Sequence, residues 1–486
     1  MPSRFWALLV LLLGLQLPWI GRPPHHDEAN FLVLAQGAQL DPWRPHDIPI
    51  NWQGTTESAF AVLSNPPGIA WWLAPVLSLP VPLQRLWMLL WLPVALWGAW
   101  QLGRRFLNSP EAAGILLLGN PIVLISGAAL MPDAPLYALV LAGTARFLDE
   151  QDQGKLGLGG AFLLGLAATF RYSALPLPLV LAAMAFLAGR RWVGSFLGFL
   201  PLLLLCLHDL HAYGALHLTA MGAFQSVSNS PEDWLHKLAA ALAMLGGAAA
   251  LPLRGWSRTM VLGAGAGVLL GWPWGWAGAG FCGLGGAALI GSLRRKELFF
   301  WTVGGLLFLL SLRFVATRYW LPFLPAVILG LHQENRWRLS AGIATLILGV
   351  ALQADDARGA YAQRAMLQKL LGDTQEKGLF TGHWGLQWEL EQRGWQAAEA
   401  NSHPPPGKLL IRPEQSWPQP LELWECTPLG EAEADPHWRW LPRGYTATGQ
   451  ANLHANWQMG DPPLRTILPW AFAADPYERV RLCRTR

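Results

Sequence analysis

Charge is the first thing this chain is short of. Asp, Glu, Lys and Arg supply 14% of its 486 residues, where soluble proteins carry roughly a quarter. A deficit spread over long apolar blocks argues against an ordinary soluble enzyme and for a polytopic membrane protein. Amphipathic periodicity is missing too: "GILLLGNPIVLISGAAL" is apolar all round. Tyrosine is scarce, 7 against 28 tryptophans, and Trp concentrates at membrane–water interfaces. The net charge of +4 gathers into no basic patch, and no glycine motif that cradles phosphates is present. No nucleic-acid partner is therefore expected. The 4 cysteines have no metal-ligand spacing. Cys206 and Cys282 lie in apolar blocks and read as packing residues. Cys426 and Cys483 lie in the polar tail and could pair if that tail faces an oxidising compartment. Internal repeats and Asn-x-Ser/Thr sequons are absent.

What is present is a series of apolar stretches. Thirteen approach the roughly 20 residues that a bilayer crossing needs: 4–20, 84–102, 111–127, 132–148, 156–170, 172–189, 192–208, 237–253, 259–275, 277–293, 298–313, 319–332 and 339–354. The first reads as an uncleaved span, since no small-x-small cleavage site precedes "PWIGRPP". Basic residues flank the stretches unevenly, roughly two to one in favour of one side. Arg104, Arg105, Arg190, Arg191, Arg294 and Arg295 fall on that side; Arg22, Arg85, Arg171 and Arg318 fall on the other. The bias predicts a cytoplasmic N-terminus, and an odd number of spans then places the tail outside.

Residues 1–354 thus form a membrane domain. It includes a first outside loop over 21–83, in which "LSNPPGIAWWLAPVLSL" reads as a helix along the interface. Residues 355–486 are richer in charge and proline. "GLFTGHWGLQWELEQRGW" reads as a strand, a turn and a helix, and "GKLLIRP" as a further strand. The fold class expected is a polytopic α-helical membrane protein of about 13 transmembrane helices, closed by a small extracytoplasmic α/β domain.

Candidate chemistry gathers on the outer side. "RPPHHDEANF" presents His25, His26, Asp27 and Glu28 directly after the first span. Neighbouring helical residues diverge by about 100°, so Asp27 and Glu28 cannot act together on one atom. Two readings of Asp27 stand together: a helix cap before "EANFLVLAQ", or a group facing a site. Asp133 in "LMPDAPLYALVLAG" has the same double reading, with Pro135 just inside the helix. "TFRYSALPLPL" and "ATRYWLPFLPA" each place an Arg-Tyr pair, Arg171–Tyr172 and Arg318–Tyr319, on the outer face. An arginine there snorkels to lipid headgroups or holds an anion; its fork suits phosphate, the more so where water is scarce. The two histidines could ligate a metal, but without other ligands at fixed spacing they define no site. No cofactor is expected, and a divalent metal stays open.

Together these residues resemble the GT-C class of membrane glycosyltransferases, in particular the bacterial relatives of protein O-mannosyltransferases and of aminoarabinose transferases acting on lipid A. Four places carry the resemblance: Asp27–Glu28 after the first span; "SNPPGIAWWLAPV", similar to a His-Pro-Pro stretch; "MPDAPLYALVLAG", similar to a Thr-Asp-Ala-Pro span start; and "FRYSALPLPLVL" with "TRYWLPFLPAVILG", similar to Lys-Tyr-Thr and Arg-Tyr-Leu-Leu-Pro segments. Asn65 stands where the family usually has His, and Arg171 where it often has Lys.

The resemblance implies a bacterial inner-membrane enzyme. It would move a sugar from a polyprenyl (undecaprenyl) phosphate to a glycan, lipid or protein acceptor by inverting displacement. Asp27 would be the general base, and Glu28 would orient the acceptor or position the first-loop helix. Arg171, Tyr172, Arg318 and Tyr319 would hold the donor phosphate, with Asp133, His26 and Asn65 as supporting candidates. The rival reading is a transporter or flippase of a lipid-linked sugar. Such a protein would carry polar groups near mid-bilayer and repeated halves; here the polar candidates gather at one face.

Overall fold

The computed structural model describes residues 1–52, 54–225, 230–249, 256–333, 337–372, 374–400, 402, 404–416, 425–435, 440–457 and 465–486. Helix occupies part of every one of the thirteen apolar stretches; residues 250–253 of the stretch 237–253 lie outside the described residues. Among the described residues, three helices are long and apolar enough to cross a membrane: Val81–Phe106, Val193–Tyr213 and Arg338–Leu371. Others are cut short by Gly and Pro. Leu158–Phe170, for example, has 13 residues, about 20 Å of helix against a hydrocarbon core of roughly 30 Å.

Two expected boundaries move. The stretch 111–127, read as one span, is two helices, Pro110–Leu118 and Pro121–Gly127, bent by 70°. The break follows from "GNP". The Asn120 side chain accepts the Ile122 amide at 3.0 Å as an N-cap, and Pro121 at the first helical position cannot donate to the preceding turn. Counted as one span, the bent pair would make a fourth crossing candidate. At the other end, the stretch read as ending at 354 continues as helix to Leu371. "ADDARGAYAQRAMLQKLL" contains no proline and is rich in Ala, Leu, Gln and Arg, so nothing in it stops a helix.

The tail builds a five-stranded sheet. Its spatial order is Gln396–Ala397, Leu379–Phe380, Leu409–Pro413, Arg479–Thr485 and Cys426–Glu433. The first three strands run parallel, and the pairings at Arg479–Thr485 are antiparallel. Helix Trp384–Glu391 joins two of the parallel strands, matching the strand, turn and helix expected of that segment. Leu386, Leu390, Leu409 and Ile411 share a core with Leu367 and Leu371 of the long helix. The end of that helix is thus the layer beneath the sheet. Cys426 and Cys483, the pair the sequence left open, are disulfide-bonded.

The first loop contains helix Glu28–Leu40, whose Phe31, Leu32 and Leu34 bury against Ile69 and Leu73 of helix Gly68–Leu73. The same loop docks on the tail: the Ala400 amide donates to the Gly54 carbonyl at 2.7 Å, and the Thr56 amide to Glu399 at 3.0 Å. These contacts bring residues of the first loop, the long helix and the tail into one place.

Candidate active site

Asp27 and Glu28 point in different directions, as their helical spacing requires. Glu28 is wholly buried. Arg85 grips both of its oxygens, at 2.6 and 2.9 Å, and Arg22 adds a contact at 3.2 Å. The amides of Leu130 and His25 donate to it at 2.8 Å each. Burial would raise its pKa, but Arg85, Arg22 and these hydrogen bonds outweigh burial and bring it to about 2. Glu28 has no lone pair left for a substrate. It locks the first loop to the 81–88 helix, the positioning alternative for this residue.

Asp27 precedes the helix but makes no side-chain cap. Its carboxylate meets Arg318 at 2.5 Å. Arg318 sits on the short turn Thr317–Trp320. Two of its nitrogens, Nε and Nη1, are buried with no hydrogen-bond partner among the described residues. Burial works against its charge, but Asp27 and Asp133 together raise its pKa. It is a fixed cation with unused donors.

The two Arg-Tyr pairs are divided. Arg171 ion-pairs with Asp133, and its guanidinium lies 4.7 Å from the centroid of the Tyr319 ring. Asp133, fully buried, keeps one carboxylate oxygen unpartnered among the described residues. Tyr172 turns away: its hydroxyl bonds His217 Nδ1 at 2.9 Å. The backbone carbonyl of Asn65 accepts from His46 at 3.0 Å, and His46 stacks 4.8 Å from His217. Tyr172 and Asn65 therefore belong to a second cluster, while Arg171, Arg318, Tyr319, Asp133 and Asp27 converge, with His26 in the same cavity wall as Arg318.

A cavity of about 390 Å³ opens beside Arg318, lined also by Arg22, His25, His26, Asp356 and His454. A second, largely apolar cavity of about 470 Å³ reaches Asp133 and runs past Leu89, Leu92 and Tyr137. Ser126, in the second half of the bent helix pair, lines both. The helix that follows the bend at Asn120 thus contributes to both cavities.

Four residues here were read from sequence only as flanking charge or not at all. Arg22 pairs with Asp356 and Glu28, and Arg85 with Glu28. Asp356 follows an apolar stretch in "LQADDARG" just as Asp27 does in "HHDEANF", and that parallel was a usable signal. His454 carried none. It reaches the site because the Leu453 carbonyl accepts from the Thr317 amide at 3.2 Å and from the Thr317 hydroxyl at 2.6 Å.

No family model matches this chain, and none of the curated proteins does. Among solved structures it is similar to ArnT from Cupriavidus metallidurans bound to undecaprenyl phosphate, with a TM-score of 0.42 and 13% identity over 85% of this chain and 93% of that one. It is similar also to apo ArnT from the same organism, with a TM-score of 0.40 and 13% identity over 84% and 92% of the two chains. Similarity of this degree assigns neither activity nor substrate, which rest on the side chains of the site.

Proposed function

We propose that this chain is an integral-membrane glycosyltransferase that moves a sugar from a polyprenyl phosphate to an acceptor at the extracytoplasmic face. The observation that carries the reading is Arg318. It is a buried cation with two donors unpartnered among the described residues, in the wall of a cavity that also carries Arg22, Asp356 and three histidines and that adjoins a more apolar one. An anionic head on a long hydrocarbon tail satisfies both. The Cys426–Cys483 disulfide supports an outward-facing tail, since such bonds persist in oxidising compartments.

In the proposed reaction the donor phosphate takes the free Nε and Nη1 of Arg318 and competes with Asp27 for the third nitrogen. Asp27, released, accepts the proton of an acceptor hydroxyl or amine. The acceptor attacks the anomeric carbon, a new glycosidic bond forms, and the bond from that carbon to the phosphate oxygen breaks with inversion. The polyprenyl phosphate departs with its charge on Arg318, and Arg171, stacked on Tyr319 and held by Asp133, supports that field. Phosphate is a fair leaving group, so position and charge supply most of the catalysis.

The test is mass spectrometry of total polyprenyl-phosphate lipids from cells carrying wild type, Asp27→Asn or a deletion. One sugar-phosphate lipid should accumulate in both altered strains, and purified Asp27→Asn should turn over about 10²–10⁴-fold more slowly. A deletion that shifts the lipids while Asp27→Asn matches wild type would favour the transporter. No change in either strain would overturn both readings. In direct binding, Arg318→Ala should lose donor affinity by about tenfold or more; unchanged affinity would remove Arg318 from the phosphate site.

A further inference from the structure

Asp356 lies on the cavity wall, three residues before Gly359, where the long helix passes beneath Tyr477 of the tail. Three imidazoles surround one of its oxygens. His25 Nδ1 and His26 Nε2 are each 3.8 Å from Oδ1, and His454 Nε2 is 3.7 Å away. The ligand atoms of His25, His26 and Asp356 all lie within 4.8 Å of one another.

These contacts are too long for hydrogen bonds. None of the three rings bonds a described residue, and His25 Nδ1 is buried without a partner among them. The rings crowd together all the same: His26 lies 3.8 Å from His25 and 3.6 Å from His454, centroid to centroid. Buried polar groups normally find partners, so an unpartnered cluster of this kind asks what fills it.

The backbone contributes as well. His26 has φ of +48°, a left-handed conformation that costs a side-chain-bearing residue free energy and persists where the surroundings enforce it. Arg22 holds the other oxygen of Asp356, as partners of ligating carboxylates commonly do.

We propose that His25, His26 and Asp356, with His454 as the fourth group, bind a divalent transition-metal ion of the zinc class at the cavity wall. Bonds of about 2.0–2.2 Å in tetrahedral array put ligand atoms about 3.4 Å apart. The three distances to Asp356 Oδ1 need to close by a few tenths of an ångström, and the widest spacing in the group, up to 4.8 Å, closes by turning the imidazole rings about their side-chain bonds. Nitrogen-rich ligation with one carboxylate selects zinc over magnesium or calcium. The ion ties together the first loop, the long helix and the tail beside Arg318. The assignment stands whether or not the sugar transfer proposed above is the reaction.

The experiment uses the full chain in detergent, without a polyhistidine tag, stripped by chelator and dialysed. Cobalt(II) is titrated in and followed by visible absorption, with zinc as competitor. One equivalent should bind with the intense bands of four-coordinate cobalt, and zinc should displace it. His26→Ala and His454→Gln should each weaken cobalt binding at least tenfold. His211→Ala, remote from the cluster, should bind as wild type. Because His454→Gln leaves the Arg22–Asp356 pair in place, it keeps the test valid if His26→Ala fails to fold. Absence of stoichiometric binding, or wild-type affinity in His454→Gln, would overturn the proposal.

Discussion

Glu28 illustrates how a buried charge is kept. It is surrounded by Arg85, Arg22 and the amides of His25 and Leu130, and Asp356 stands beyond Arg22. Removing one partner leaves the other uncompensated inside the protein. Arg85→Met should therefore destabilise the fold by about 3–5 kcal/mol, with Glu28→Met plus Arg85→Met recovering much of that loss; thermal unfolding in detergent measures both. The pH dependence follows from the direction of the shift. The folded carboxyl titrates near 2 against 4.5 for the free group, so the unfolded state binds the proton first. The stabilisation is present above 4.5 and is lost as pH falls toward 2. Between about pH 6 and pH 3, wild type should lose more thermal stability than Glu28→Gln does; equal losses would place the acid sensitivity elsewhere.

The same residues mark how far local reasoning reached. Helical spacing separated Asp27 from Glu28, but not which of them faced the cavity. That choice was made by Arg85, which lies 57 positions away, and by Arg318, 291 positions away.

At the scale of elements, helices Arg258–Gly271 and Gly275–Ser292 pack through glycine. Gly263, Gly267 and Gly271 recur every fourth residue on the first helix. A Cβ at Gly267 would come 2.1 Å from the Cys282 carbonyl oxygen, and one at Gly271 would come 2.3 Å from that of Gly278. Small residues allow such backbone approach where apolar burial gives helices little reason to associate. Gly267→Leu should separate the pair and lower stability by about 1–3 kcal/mol or more. Gly265→Leu, with open space around it, should be near neutral. Equal melting of the two variants would contradict the packing. The apolar stretches that became helices were legible, because composition and length suffice for that. The bend at Asn120 was written in "GNP" yet was passed over, since an apolar run hides a cap.

At the scale of the whole molecule, the tail decides the site as much as the membrane stretches do. Asp355 accepts from the Tyr477 hydroxyl at 2.6 Å and the Gly444 amide at 2.9 Å, while its neighbour Asp356 faces the cavity. Two expectations follow for the intact chain. Thiol counting should find two reactive cysteines in the denatured, unreduced protein, Cys206 and Cys282, and four after reduction. Four without reductant would exclude the disulfide. Lys408→Cys, at an exposed position just after a turn, should react with an impermeant maleimide from the extracytoplasmic side; labelling only from the cytoplasmic side would invert the proposed topology.

By itself the sequence determined the apolar stretches, the placement of acidic and basic groups at their ends, and the strand–helix–strand character of the tail. These are properties of composition and short-range spacing, and they survive without knowledge of neighbours. Only the tertiary structure decided that Glu28 is locked by Arg85, that Arg171 stacks on Tyr319 while Tyr172 turns to His217, and that His454 joins His25, His26 and Asp356. Each depends on contacts between residues far apart in the chain, whose geometry is set by helix packing and backbone docking.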